Sequence, residues 1–159
     1  IDATVLNIVA SSMARMFSNN TNLTTLALKE MDLSGGRLIP MCESLGANTH
    51  LHELELNGCK LGDADARALA SVLRVNTTLT SLSINGSPIG KDGVMDILQA
   101  LAESNKTLRN LEMFESCDMD EETAFAMGKL LPRMKGLQTL VPYEAPEGYT
   151  DDDDDDRNR

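Results

Sequence analysis

A repeat constrains this chain more than any other property it has. The string L-x-x-L-x-L, or a close variant, occurs at Leu23/Leu26/Leu28, Leu51/Leu54/Leu56, Leu79/Leu82/Ile84, Leu108/Leu111/Met113 and, in a broken copy, Leu137/Leu140/Pro142. The first leucines lie 28, 28, 29 and 29 residues apart. An apolar side chain recurs ten residues after the first leucine as Leu33, Leu61 and Ile89, and eleven after it as Met119. Counted from that residue, positions five, eight, nine and twelve read Leu38/Met41/Cys42/Leu45, Ala66/Leu69/Ala70/Leu73, Val94/Ile97/Leu98/Leu101 and Ala124/Met127/Gly128/Leu131. Those offsets put four side chains on one face of a helix, whereas L-x-L has the alternation of a strand. Each unit predicts a short strand, a loop, a helix and a return. Ala10, Met13, Ala14 and Phe17 supply one more helix in matching phase ahead of the first strand.

A single unit of this size cannot bury its apolar face, so the units must stack, sharing leucine layers and pairing their strands into a parallel sheet with the helices outside. An asparagine stands three residues before the first leucine in four of the five copies, as Asn20, Asn48, Asn76 and Asn105. Its side chain is suited to bond neighbouring backbone and hold the turn from helix to strand. The repeat gives a structural reason for asparagines among the N-x-S/T sequons at Asn19, Asn22, Asn76, Asn85 and Asn105, two of which, Asn76 and Asn105, are turn asparagines; the sequons otherwise read as glycosylation sites. Three cysteines, Cys42, Cys59 and Cys117, in a chain that needs no disulfide staple fit a reducing, cytoplasmic setting.

These units resemble leucine-rich repeats of the ribonuclease-inhibitor-like class, which alternate strand and helix with a period of 28 or 29 residues. The resemblance covers residues 1 to about 143. It implies an α/β fold: a right-handed strand-helix horseshoe with the sheet on the concave face and helices on the convex face. The expected organisation is a repeat domain over residues 1–146, with an N-terminal helix, four strand-helix units and a final edge strand, followed by a disordered acidic tail at 147–159. Pro142 cannot donate to a ladder and is expected to close the array. Because the chain opens on Ile1 rather than Met, further sequence is expected upstream. One departure stands out. The class commonly carries Asn or Cys eight residues after the first leucine to bond adjacent turns; here that position is Met31, Cys59, Ser87 and Ser116 or Cys117, so a weak ladder is expected. Cys59 reads as a buried structural thiol.

In such a repeat the residues between the leucines line the concave sheet, giving the rows Thr25/Ala27/Lys29, Glu53/Glu55/Asn57, Ser81/Ser83/Asn85, Asn110/Glu112/Phe114 and Thr139/Val141/Tyr143. Glu53, Glu55 and Glu112 make the middle acidic, and Phe114 beside Tyr143 forms an aromatic pair near the C-terminal end. Aromatic side chains are enriched among binding hot spots. With Ser83 and Asn85 these five form the candidate partner-binding set. The competing reading is that Phe114 covers the last turn and Tyr143 the open edge.

Charge bounds the partner. The chain carries 14 Lys+Arg against 25 Asp+Glu, a net charge of −11. Setting aside Asp151–Asp156 with Arg157 and Arg159 leaves a body of about −7. Nucleic acid and anionic membranes are thereby disfavoured, since both are bound through Lys and Arg. A basic protein surface is the favoured partner. No apolar run approaches the ~20 residues of a membrane span.

Chemistry motifs are sparse. Gly86-Ser-Pro-Ile-Gly90-Lys91-Asp92 has three residues rather than four between its glycines, and Asp where a phosphate loop needs Ser or Thr. His50 and His52 flank a core leucine without partners at ligand spacing, so no metal is implied. No serine or cysteine has a recognisable base, and neither a small-molecule ligand nor a cofactor is indicated. The expectation is a non-enzymatic protein-interaction scaffold. Three further resemblances stay open. Ran GTPase-activating proteins are similar in pairing such repeats with an acidic stretch. Tropomodulin-like actin-capping proteins resemble the chain in having about five repeats, although they usually close with a basic amphipathic helix. Repeat domains of innate-immune receptors are also similar.

Overall fold

A computed structural model describes residues 3–115 and 120–142. Elements alternate along the chain: α1 (Ala3–Asn19), β1 (Thr25–Ala27), α2 (Ile39–Ala47), β2 (Glu53–Glu55), α3 (Asp63–Val75), β3 (Ser81–Ser83), α4 (Lys91–Glu103), β4 (Asn110–Glu112), α5 (Glu121–Leu130), a 3-10 turn (Leu131–Arg133) and β5 (Thr139–Val141). The five strands form one parallel sheet in the order β1-β2-β3-β4-β5. This is the leucine-rich-repeat architecture that the 28–29 residue period implies. The register places Leu26, Leu54, Leu82, Leu111 and Leu140 side by side in one row, so the sequence repeat and the hydrogen-bonded register coincide.

The core is a stack of leucine layers. Leu54, Leu82 and Leu111 are buried, and each repeat adds its helix face behind them: Leu38/Met41/Cys42/Leu45, Ala66/Leu69/Ala70/Leu73 and Val94/Ile97/Leu98/Leu101 all join one cluster. Burial tapers at the two ends, where Leu26 and Leu140 are only partly covered.

The last helix departs from the expected phase. Ala124, Gly128 and Leu131 face solvent, whereas Thr123 and Met127 are buried and Leu130 packs against the core. Counted from the first leucine, Thr123 sits fifteen residues on, where Leu38, Ala66 and Val94 sit in the earlier units. The phase never shifted. A threonine in an inward position disguised it, and Met119, which lies outside the described residues, anchored the count one residue late. The extra residue of the preceding unit instead falls at Ser104, between α4 and Asn105.

A side-chain ladder is present, but it stands at the turn from helix to strand. Within each turn the asparagine Oδ1 accepts the same pair of backbone N–H groups: from His50 and Leu51 at Asn48, from Thr78 and Leu79 at Asn76, and from Thr107 and Leu108 at Asn105. Nδ2 reaches back to the preceding repeat. Asn48 donates to the carbonyl of Phe17 at 2.8 Å, Asn76 to Leu45 at 2.8 Å and Asn48 at 2.9 Å, and Asn105 to Leu73 at 2.8 Å. The repeats are thus riveted where a helix ends and a strand begins. At the position eight residues after the first leucine only Cys59 makes such a bond among the described residues, donating Sγ to the carbonyl of Leu28 at 3.1 Å. Ser87 Oγ is buried there without a partner.

The turn after each strand needs one left-handed residue, seven positions after the first leucine. Gly58 (φ 68°) and Gly86 (φ 64°) adopt it freely, while Glu30 (φ 57°) and Glu115 (φ 55°) do so with a side chain. In three of these turns the residue's N–H bonds the next repeat, Glu30 to Asn57, Gly58 to Asn85 and Gly86 to Phe114. The conformation is therefore imposed by the sheet. A Cβ in the left-handed region costs about 1 kcal/mol, so Glu30→Gly is expected to raise the urea midpoint by roughly that free energy. A lower midpoint would show that contacts of the Glu30 side chain outweigh the strain.

Candidate functional site

The sheet face alternates with the leucine row, so its residues emerge between buried neighbours. Their exposure is uneven. Glu53 is open to solvent and Glu55, Glu112 and Phe114 are half-buried, but Ser83 and Asn85 are only 6% and 7% exposed. The expectation that both would present free polar groups on an open face is corrected: neighbouring strands cover them. Tyr143 and Cys117 lie outside the described residues.

What covers Ser83 and Asn85 is a polar network across β2, β3 and β4. Asn57 Oδ1 accepts the backbone N–H of Asn85 at 3.0 Å, and Asn85 Oδ1 accepts that of Phe114 at 3.0 Å. Asn85 Nδ2 donates to Ser83 Oγ at 3.0 Å and to Glu112 Oε2 at 3.2 Å. Ser83 Oγ lies 2.7 Å from Asn57 Oδ1 and 3.0 Å from Glu112 Oε2; with one proton it donates to one of them at a time. The network fixes the Glu112 carboxylate at a set height on the face. Asn57 is a member that sequence reasoning ranked with the lining residues but not with the site. Its place two residues beyond β2, in the row of Asn85, was the available signal.

The other acids of the face are also engaged. Glu53 Oε2 accepts from Thr25 Oγ1 at 3.2 Å, and Glu55 Oε2 lies 3.2 Å from Lys29 Nζ. The face is a held array of carboxylates with polar neighbours, suited to contact with a cationic or hydrogen-bonding surface. Among the described residues no cluster of His, Cys, Asp and Glu could hold a metal ion, and no helix is long and apolar enough to cross a membrane.

The two edges of the sheet differ in charge. Beyond the strand ends, where the helices begin, acids predominate, in keeping with the positive end of the helix dipole. Asp63 Oδ1 accepts the N–H of Gly90 at 2.7 Å and of Gly93 at 3.2 Å. A carboxylate of the preceding repeat thus occupies the place that a phosphate would take in the Gly86–Asp92 loop, in agreement with the rejection of a phosphate loop there. Asp32 takes hydrogen bonds from Ser34 and lies 3.2 Å from Lys60, and these hold its carboxyl at about 2, the Ser34 hydroxyl contributing most. Lys91 bonds Glu122 and lies 4.0 Å from Asp120. At the opposite edge, where helices end and strands begin, stand Lys106, Arg109, Lys129, Arg133 and Lys135, all exposed.

On the helix side, α2 and α3 leave a groove of about 330 Å³ lined by Ile39, Cys42, Glu43, Gly46, Ala68, Ser71, Val72 and Val75. Burial pushes the Cys42 thiol at its floor up to about 12, so the thiol is inert at neutral pH. Burial likewise raises Cys59.

A parallel sheet of five such strands, riveted at its turns and presenting a held polar face, is a leucine-rich-repeat domain. Within that class the family described as "TMOD/LMOD Leucine-rich domain" matches residues 6–139. The chain belongs to this tropomodulin and leiomodin family. Among solved structures it is similar to one titled "Leiomodin-1 Actin-Binding Site 2 (ABS2)", with a TM-score of 0.75, 25% identity, and coverage of 85% of this chain and 79% of that one. It also shares its fold with the Caenorhabditis elegans tropomodulin C-terminal domain, at a TM-score of 0.75 and 13% identity, over 87% of this chain and 84% of that one. No curated protein sequence matches the chain significantly. The feature that weighed against a tropomodulin-like assignment, a close in aspartates rather than in a basic helix, falls beyond the matched residues.

Proposed function

We propose that the chain is a non-enzymatic, cytoplasmic actin-binding module that docks through its sheet face. The match of residues 6–139 to the tropomodulin and leiomodin leucine-rich domain carries this reading, and the likeness to a structure titled leiomodin-1 actin-binding site 2 supports actin as the partner. Both favour it over the GTPase-regulator and immune-receptor alternatives. Glu53, Glu55, Glu112 and Phe114 are the described residues best placed to meet the partner, with Tyr143 continuing the row in sequence. Ser83 and Asn85 serve from beneath by positioning Glu112 and the Phe114 backbone.

Co-sedimentation with actin filaments and a titration against monomeric actin test the reading. The wild-type protein is expected to bind at least one form, and Glu53→Lys and Phe114→Ala each to weaken binding by roughly tenfold, as hot-spot changes do. Both positions are off the leucine core, so folded protein is expected in each case. Absence of wild-type binding to either form overturns the actin assignment. Binding that ignores both substitutions removes the sheet face from the interface.

A further inference from the structure

The cations of this acidic chain are of two kinds, paired and unpaired. Lys29, Arg37, Lys60, Arg67 and Lys91 each lie within 4.0 Å of a carboxylate. Among the described residues Arg15, Arg74, Lys106, Arg109, Lys129, Arg133 and Lys135 have no such partner. Arg15 and Arg74 stand singly on α1 and α3, whereas the other five gather at one corner, where α5 ends and β4 and β5 begin. Gly136 packs so closely on the turn at Lys106 that a Cβ would fall 2.7 Å from the Lys106 carbonyl oxygen, and Arg109 Nη1 donates to the Gly136 carbonyl at 2.8 Å. Lys135 adjoins Gly136, and the N–H of Lys135 bonds the carbonyl of Arg133. Lys129 stands over the Phe125 ring, 4.2 Å from its centroid, beside the exposed Leu131. Glu103, at the end of α4, forms no ion pair with any of the five.

Uncompensated like charges packed on stacked turns repel one another unless an anion joins them. We infer that this corner is the docking surface of the chain's own aspartate run, Asp151–Asp156. The geometry permits the contact. Asp151 is nine residues beyond Pro142, and nine extended residues reach about 30 Å. The six-residue path back from Pro142 to Gly136 along β5 spans at most about 20 Å. Tethering over so short a linker gives an effective concentration in the ~mM range. Six aspartates facing five cations supply the charge complement, and an outside acidic segment must displace them to reach the corner.

Zero-length carbodiimide crosslinking of the full chain, read by mass spectrometry, tests this without any actin, so its outcome is separate from that of the binding assays. The Lys29–Glu55, Lys60–Asp32 and Lys91–Glu122 pairs serve as internal controls. Peptides joining Asp151–Asp156 to Lys106, Lys129 or Lys135 are expected in about 20 mM salt and to fall at least several-fold in about 500 mM salt, where screening is within a few ångströms. Control links without corner links, or links from the tail spread equally over Lys29 and Lys60, overturn the inference. A second arm uses the full-length chain with all six aspartates changed to asparagine. Added hexa-aspartate peptide is expected to link to Lys135 at roughly tenfold lower concentration in this variant than in wild type, because no tethered rival is present. Equal uptake by the two proteins would mean that the corner stands open to outside acids, and the inference fails.

Discussion

Asn76→Ala is expected to lower the unfolding free energy by about 3–5 kcal/mol, a large share of what a domain of this size possesses. The side chain is 4% exposed and satisfies four backbone groups at once, the carbonyls of Leu45 and Asn48 and the N–H groups of Thr78 and Leu79. Alanine orphans the two N–H groups in a place that water cannot enter without opening the turn, at about 1 kcal/mol or more each, and takes one bond from each carbonyl, leaving Leu45 with the Asn48 N–H and Asn48 with the Thr78 hydroxyl, at about 1 kcal/mol per bond lost. Asn20→Ala provides the control. Its Oδ1 also accepts two N–H groups, from Asn22 and Leu23, but it serves only its own turn among the described residues and is less buried. That change is expected to cost about 1 kcal/mol. Urea unfolding followed by circular dichroism distinguishes the two through their midpoints at constant slope. Equal losses would mean that the bonds between repeats add nothing to those within the turn.

The second large effect concerns position within the stack. Leu82→Ala, in the central strand, is expected to cost about 3–5 kcal/mol, while Leu26→Ala, at the same place in the repeat, costs about 1–2 kcal/mol. Leu82 is fully buried with paired strands on both sides, so the cavity left by truncation has rigid walls. Leu26 is partly exposed on the edge strand, which can relax into the space. The same urea titrations measure both. Equal costs would argue that the ends of the array are as tightly packed as its middle.

Much of this fold was legible in the chain, because strand register and repeat period are the same number. Once Leu26, Leu54, Leu82, Leu111 and Leu140 were aligned, their side-by-side pairing followed. Asparagine at the turn was legible as well, since Asn is suited to bond nearby backbone. Its reach into the preceding repeat was not, because that requires knowing which carbonyl the stacking brings within 2.8 Å of Nδ2. Polarity misled in two places. Thr123 hid the inward phase of α5, and Ser83 with Asn85 looked like surface residues although they sit in a closed hydrogen-bond network. In each case hydropathy reports the side chain, whereas burial is decided by its neighbours. The unpaired corner was invisible for a similar reason: which acid a lysine meets depends on the neighbouring repeat, some 28 residues away.

The asparagine rivets all point one way. Each Nδ2 reaches towards the N-terminus, to a carbonyl near the end of the helix in the repeat before it. During synthesis, which proceeds from that same end, every newly emerged repeat finds acceptors already in place and leaves its own for the next. The array therefore has a direction of growth. Shortening it from the two ends is not equivalent: loss of the later repeats leaves the Leu45 carbonyl still bonded to the Asn48 N–H, whereas loss of the earlier ones strands an amide that the turn alone cannot satisfy.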